Sequence, residues 1–436
     1  MAMLRSVELF TGAGGLALGI ARAGFKHDLL VEVDKHALAT LGQNREHLPE
    51  VSDWPVVVPD DVSEVDYEPY EGKVDLLAAG TPCQPFSLGG KHQGELDDRN
   101  MFPQVFRATR ELRPQAILVE NVRGLMRDAV KPYFDYILRQ LELPEREPAG
   151  GEDWRAHDAK LIDAIEVGVD GSDELSYEVD CEVLNAADFG VPQRRQRIFI
   201  VAFRKDLGIA PTPSLVTHSR DALLHAQYVD GTYWREHGLS SQPTPQALVN
   251  RVDRLARCDP PSESRWRTVR DALAGLPEPL DLQEHSTFHN HAGNPGARSY
   301  VGHTGSPLDE PAKTLKAGVH GVPGGENTLR RPDGTVRYFT PREAARLQTF
   351  PDEYRFSGPW SEVMRQLGNA VPVEMARHLS TSIRVALERA STGERPNRND
   401  VDHQALQGAQ DNVPSRWVTA PTTRRLPSRH TAVPAR

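Results

Sequence analysis

The 436 residues exceed what one hydrophobic core usually serves, so two lobes are expected, and 38% hydrophobic with 26% charged residues fits a globular chain. No stretch approaches the roughly 18 uninterrupted apolar residues of a membrane span, and the first residues run into a strand pattern without signal-peptide architecture. Only three cysteines (Cys83, Cys181 and Cys258) exclude a disulfide framework and a cysteine-rich zinc site, whereas a net charge of −10 leaves a polyanionic partner open, because a local basic cleft is enough for phosphate contacts.

In chain order, residues 7–10 form a short apolar strand that enters the glycine loop Thr11-Gly12-Ala13-Gly14-Gly15. Residues 16–23 have helical periodicity and stop at Gly24; 28–33 read as a second strand and 35–44 as a second helix. Repetition of this unit predicts a parallel sheet with helices on its faces. Gly12, Gly14 and Ala17 fit the G-x-G-x-x-G/A fingerprint, with Glu32 about 20 residues past Gly12, where an acid accepts ribose hydroxyls. That fingerprint serves nicotinamide, flavin and S-adenosylmethionine binders alike.

Three further segments place chemistry at strand ends. The apolar run 74–79 delivers Gly80-Thr81-Pro82-Cys83-Gln84-Pro85-Phe86-Ser87, with a cysteine at the mouth of the loop. Run 116–119 ends in Glu120-Asn121-Val122, and Gln193-Arg194-Arg195-Gln196-Arg197 leads into a strand at 198–203. Singly, each has an ordinary explanation: an inert thiol at a turn, a solvated carboxylate, a basic surface. In this order behind a glycine loop they form a nucleophile, an acid and paired arginines at the edge where open α/β sheets do their chemistry. A hydride-transfer enzyme would not need the nucleophile.

Residues 142–176 are rich in Pro, Gly and acids around a helical patch at 157–165, and read as a surface excursion. From 205 to 337 the α/β alternation is lost and an irregular lobe is expected, with Arg251, Arg254, Arg257, Arg265, Arg267 and Arg270 concentrated in one region. His285, His289 and His291, near Asp281 and Glu284, match no metal-binding spacing and read as loop. Thr340 is placed to cap a helix over 341–348 with Pro341 at its first position. A last helix, from 373 to about 390, keeps Ala376, Leu379, Ile383, Ala386 and Leu387 on one side, and the polar, Pro/Arg-rich residues beyond 391 predict a disordered tail.

Quoted in order, ELFTGAGGL, VEVDKHA, GTPCQPFS, ENVRGL, LNAADFGVPQRRQRIFIVAF, TPREAARLQTFPDEY and QLGNAVPVEMA closely resemble the DNA cytosine-5 methyltransferase family, over 7–203 and again over 338–390. The resemblance implies an α/β fold: a Rossmann-like, S-adenosylmethionine-dependent methyltransferase sheet with helices on both faces, plus a smaller irregular target-recognition domain. Residues 1–204 would form the first part of the catalytic domain, 205–337 the recognition domain and 338–390 the completing helices, with 391–436 as tail. The implied activity is DNA cytosine-5 methylation of a flipped-out base in a specific duplex sequence, as the modification enzyme of a bacterial restriction-modification system. Double-stranded DNA is the implied partner, and a cognate restriction endonuclease acts on the same site without a stable complex. A cytoplasmic monomer, nucleoid-associated in function, is expected. An RNA cytosine-5 methyltransferase of the same fold and a non-catalytic DNA-binding relative are the rival readings. The size of 205–337 favours duplex DNA, and the intact Cys83, Glu120 and Arg197 favour catalysis.

Carried over residue by residue, the resemblance makes Cys83 the nucleophile, Glu120 the acid, and Arg195 with Arg197 the arginine pair. Phe10, Thr11, Gly12, Ala13, Gly14 and Gly15 match the cofactor loop, Glu32 the ribose ligand and Asp61 the adenine ligand, with Val33, Val62, Gly80 and Pro82 as further contacts. Because Asp60 is adjacent, the adenine contact can shift by one. Asn369, Ala370 and Val371 match a segment that closes over the cofactor, while Gln84, Ser87, Lys91, Arg99, Lys313 and Thr314 are expected on DNA. Thiolate addition at carbon 6 of cytosine makes carbon 5 enamine-like. A protonated Glu120 at ring nitrogen 3 would offset the charge that this addition puts into the ring. Arg197 would hold the 2-oxo group, and Arg195 a flanking phosphate or Glu120 itself. The methyl group comes from the cofactor's sulfonium, and the chain offers no evident base for the carbon-5 proton.

Overall fold

A computed structural model of the chain describes residues 3–55, 61–82, 100–167, 174–212, 214–299, 301, 304–317 and 327–393. Strands β1 (Arg5–Leu9), β2 (Lys26–Val31), β3 (Leu76–Gly80), β4 (Ala116–Val122), β5 (Tyr177–Asn185) and β6 (Gln196–Arg204) form one sheet in the order β2-β1-β3-β4-β6-β5. The first four run parallel, whereas β6 is antiparallel to both its neighbours. The expectation of a parallel sheet throughout is corrected at this edge. Only residues 186–195 separate β5 from β6, fewer than the dozen or so that a parallel crossover needs, so the chain turns straight back.

Helices α1 (Gly15–Arg22) and α2 (Lys35–His47) follow β1 and β2, α3 (Phe102–Leu112) follows β3, and α4 (Lys131–Glu142) and α5 (Trp154–Val167) follow β4. Period-two alternation along the strands feeds two cores. Val7, Leu9, Leu77, Ala79, Ile117, Val119, Ile198 and Ile200 pack with α3 and α4 on one face. Leu76, Ala78, Ala116, Leu118, Phe199 and Phe203 pack with α1 on the other. In α5, the helix of the acidic excursion, His157 and Leu161 are the buried residues.

Residues 205–337 carry β7 (His218–Ser219), α6 (Arg220–Tyr228), α7 (Thr232–Glu236), α8 (Val249–Leu255), β8 (Ser264–Arg265), α9 (Val269–Leu273), β9 (Ser306–Pro307) and β10 (Thr328–Arg330), and β11 (Val336–Tyr338) spans their end. A small cluster of Leu223, Ala226, Tyr233 and Trp234 holds the first of these together. Val269, Ala272, Ala312, Leu315 and Leu329 instead join the core around α10 (Pro341–Leu347) and α11 (Trp360–Asn369). Thr340 caps α10 as predicted, in a reciprocal capping box with Glu343.

The last helix, α12 (Val373–Ser391), buries Met375, Ala376, Leu379, Ile383 and Leu387 on the same sheet face as α1. Gly19 permits this contact: a Cβ there would fall 2.4 Å from Ala376 Cβ and 2.7 Å from Val373 O. The expected tail from 394 onward lies outside the described residues.

Candidate active site

Register decides what meets at the sheet edge. Leu9 lies opposite Ala79 and Gly80 opposite Glu120, so the loops after β1, β3 and β4 leave at one level. β6 enters the sheet at that same edge, with Arg197 opposite Val122. Glu120 and Arg197 are thus diagonal neighbours on adjacent strands. Their side chains form an ion pair, Arg197 Nε to Glu120 Oε1, at 2.9 Å. Glu120 is 6% exposed, and its Oε1 has no aligned hydrogen-bond partner among the described residues. Arg197 Nη1 donates to Gln196 O at 2.8 Å, which steadies the guanidinium.

Asn121, beside the acid, has a positioning role that the sequence reading missed. Its Nδ2 donates to Thr81 Oγ1 at 2.6 Å, its Oδ1 accepts from Val122 N at 2.7 Å, and Thr81 Oγ1 reaches Glu120 O at 3.4 Å. This stitches the end of β3 to the end of β4 just before Cys83. The Glu-Asn pair at a strand end was the available signal. Cys83, Gln84, Ser87, Lys91 and Arg99 lie outside the described residues.

Arg195 is placed differently from expectation. It is 1% exposed, with Nη2 donating to Gly368 O at 2.9 Å and Nη1 to Leu315 O at 3.4 Å, whereas Arg197 takes Glu120. Backbone bonds just before it tie the chain to Ala312: Arg194 N donates to Ala312 O and Ala312 N to Pro192 O. Arg195 therefore joins β6 to α11 and does not pair with Glu120. Beside it runs a buried amide chain that sequence gave no sign of. Gln193 Nε2 donates to Gln348 Oε1 at 3.1 Å, Gln193 Oε1 accepts from Leu315 N at 2.9 Å, and Gln348 Nε2 reaches Ala370 O at 3.2 Å. Thr314 Oγ1 donates to Arg194 O at 2.8 Å and Lys313 N to Ser306 Oγ at 3.0 Å, so this segment sits against the arginine stretch.

Glu32 follows β2 and organises the glycine loop. Its Oε2 accepts from Gly12 N at 2.6 Å, and its Oε1 accepts from Val33 N at 2.8 Å and Asp34 N at 2.7 Å. A Cβ at Gly12 would meet nothing within 4 Å, so the loop is open there. At Gly14 a Cβ would fall 2.8 Å from Tyr354 Oη, and at Gly15 2.3 Å from Val371 O. Those two glycines let the chain's own segments close in, and Tyr354 Oη donates to Ala13 O at 2.7 Å. Ala370 and Val371 are buried, while Asn369 at the end of α11 is exposed. Phe10 (φ 59°) and Thr11 lead into the loop, and Val33, 66% exposed, flanks it. Exposed Asp61 accepts from Ser63 N and Ser63 Oγ, both at 2.8 Å; these bonds hold its carboxyl below the usual range, and Val62 behind it is buried. Beneath the loop, Glu8 is fully buried with neither carboxyl oxygen hydrogen-bonded among the described residues. Burial pushes Glu8 well above the usual carboxylate range; the Ala17 backbone opposes that rise and the nearby Glu32 charge adds to it.

The arginine-rich region divides in two. Arg251 pairs with Asp221 at 2.6 Å, Arg265 with Asp271 at 2.7 Å and Glu236 at 2.8 Å, and Arg270 with Asp309 at 2.7 Å. Arg254, Arg257 and Arg267 make no ion pair among the described residues. Of the three loop histidines, His291 is buried, with its ring nitrogens each 2.9 Å from Thr340 Oγ1 and Pro277 O.

A model of the C-5 cytosine-specific DNA methylase family matches residues 4–143 and 157–384. The chain belongs to this family. As a C-5 cytosine-specific DNA methylase it is a DNA (cytosine-5-)-methyltransferase, and its α/β sheet is the methyltransferase sheet. The Type II methyltransferase M.Eco47II of Escherichia coli is 34% identical over 389 residues, covering 86% of this methylase and 78% of the relative. The Type II methyltransferase M.NgoMIV of Neisseria gonorrhoeae is 30% identical over 387 residues, covering 88% and 98%. In fold the chain is similar to the methyltransferase EhMeth of Entamoeba histolytica, with a TM-score of 0.52 at 15% identity, over 89% of this chain and 99% of that one.

Proposed function

We propose that this methylase uses S-adenosylmethionine to methylate carbon 5 of an extruded cytosine in one specific duplex sequence, as the modification half of a restriction-modification system. The observation that carries this reading is the buried Glu120–Arg197 pair, two strands away from a glycine loop that Glu32 holds open at Gly12.

The residues present fit the cofactor. Gly12 leaves space for a ligand against the backbone, Glu32 keeps lone pairs for ribose hydroxyls, and Phe10 and exposed Val33 offer apolar surface to a base. When bound, the cofactor supplies an electrophilic methyl group. Cys83 adds to carbon 6 of the cytosine, Glu120 holds a proton at ring nitrogen 3, and Arg197 steadies the charge that addition places in the ring. Inside a duplex the target carbon is out of reach, so the base is extruded at a cost of about a few kcal/mol. A Glu32→Ala variant is expected to bind cofactor more weakly by about 1–3 kcal/mol, the usual result of stranding hydrogen-bonding groups. Calorimetry checks this, and unchanged affinity would put the ribose elsewhere.

The names of the Type II relatives support the restriction-modification role, with the endonuclease acting independently on the same site. No helix among the described residues is long and apolar enough to cross a membrane; work in the cytoplasm as a monomer completes the proposal. Residues 205–337 choose the sequence, since acid and cofactor loop lie outside them. Exchanging them for the matching segment of a relative should change which sequence is methylated and leave the reaction dependent on Cys83. Bisulfite sequencing of host DNA tests both claims. Protected cytosines in one short motif are expected for the parent and in another for the chimera. Fully converted DNA from the parent would overturn the function, and an active chimera that keeps the parental motif would overturn the division of labour.

A further inference from the structure

Just beyond β4 the chain makes a 3-10 turn, Arg123–Met126, with Leu125 fully buried and Arg123 and Met126 facing out. Backbone bonds fasten it: Arg127 N donates to Gly124 O at 3.3 Å, and Arg127 O accepts from Val130 N at 2.8 Å and Lys131 N at 2.7 Å. Arg123, Met126 and Arg127, with Asp128, Val183 and Gln196, line an open groove of about 680 Å³. The groove adjoins the catalytic site, because Arg123 Nη1 donates to Gln196 Oε1 at 3.0 Å and Gln196 precedes Arg197.

Neither Arg123 nor Arg127 makes an ion pair among the described residues. Met126 is 41% and Val183 38% exposed beside them. On a chain of net charge −10, these two arginines without an ion pair are interleaved with apolar surface beside the catalytic acid, with Asp128 also in the lining. A nucleic-acid strand has that complementary pattern, alternating phosphates with apolar sugar faces. We propose that this groove holds the sugar–phosphate backbone of the substrate DNA, with Arg123 and Arg127 on phosphates and Met126 and Val183 against deoxyribose. The proposal rests on the DNA-methylation reading above and adds two phosphate contacts to it. Such contacts orient the duplex without reading its sequence. The anchored turn presents both guanidinium groups from one rigid platform beside the catalytic acid.

The test measures duplex binding by fluorescence anisotropy with S-adenosylhomocysteine present, at about 50 and about 200 mM salt. The proteins are the wild type, an Arg123→Gln/Arg127→Gln pair and an Arg123→Lys/Arg127→Lys pair. Losing two phosphate contacts lowers the slope of log affinity against log salt by about 2, so the wild-type advantage shrinks by about tenfold between the two salts. Cognate and non-cognate duplexes should weaken alike in the Gln pair, the Lys pair should keep the slope, and cofactor affinity should stay unchanged in both. An unmoved slope in the Gln pair, or a loss confined to the cognate duplex, would overturn the groove. Methyl transfer by the wild type separates this outcome from failure of the parent reading. An active wild type with an unmoved slope sinks only the groove, whereas an inactive wild type whose slope falls on substitution sinks only the reaction.

Discussion

A Cys83→Ala variant is expected to bind S-adenosylmethionine and duplex DNA normally and to transfer no detectable methyl group. Without a thiolate, nothing adds to carbon 6, and carbon 5 stays too poor a nucleophile for the cofactor. The sharper readout uses a duplex with 5-fluorocytosine at the target. Release of the enzyme requires loss of a proton from carbon 5, and fluorine cannot leave in its place. The wild type should therefore become covalently attached to the DNA, visible as a shifted band in a denaturing gel, and the variant should not. The role of Cys83 rests on its place two residues beyond Thr81, which Asn121 ties to the end of β4. A variant working at the wild-type rate would sink the covalent mechanism.

The second large effect concerns the Glu120–Arg197 pair. Glu120→Gln should lower the single-turnover rate by about 10²–10⁴-fold, the usual contribution of a positioned acid, with little change in cofactor binding. Arg197→Ala leaves a buried carboxylate without its counter-charge and should destabilise the fold by up to about 3–5 kcal/mol. The double variant Glu120→Gln/Arg197→Met removes both charges, so denaturant titration should show much of that stability restored while methyl transfer stays lost. That split separates holding the fold from doing the chemistry. Should Glu120→Gln turn over at the wild-type single-turnover rate, the acid is another group.

What was legible in the chain follows the range of the forces involved. The strands beside the site were visible because each buries both faces and so reads as an apolar run closed by polar residues. α10 was visible because its cap is local: Thr340, Pro341 and Glu343 lie within one turn. β2 came out two residues early, at Lys26–Val31, which places Glu32 and Val33 in the loop, where the Glu32 carboxylate accepts from both Gly12 N and Val33 N. The reversal of β6 was hidden, since strand direction depends on the short 186–195 connection and the β4 partner. The inward turn of Arg195 and the Gln193–Gln348 chain depend on residues more than a hundred positions away. No local pattern announces such contacts. The same holds for the arginine-rich region, where Asp221, Asp309 and Glu236 decide which guanidinium groups are held. Glu8 lies in β1, and it is chiefly the burial of that strand that raises its carboxyl well above the usual range.

The packing of α12 against α1 has a consequence for the order of events during synthesis. Gly15 lies against Val371 and Gly19 against Ala376, so the wall behind the cofactor loop is supplied by nearly the last described stretch of the chain. At about 5–20 residues per second, the ribosome needs on the order of 20–70 s to travel from α1 to α12. Until then Leu16, Ile20, Ala78 and Leu118 lack the part of their cluster that Met375, Ala376, Leu379, Ile383 and Leu387 supply. The nascent chain therefore carries a sheet face that Phe189, Phe199 and Phe203 cover in part and that the late helix completes. Docking of that helix is therefore among the last steps that complete the wall of the cofactor loop.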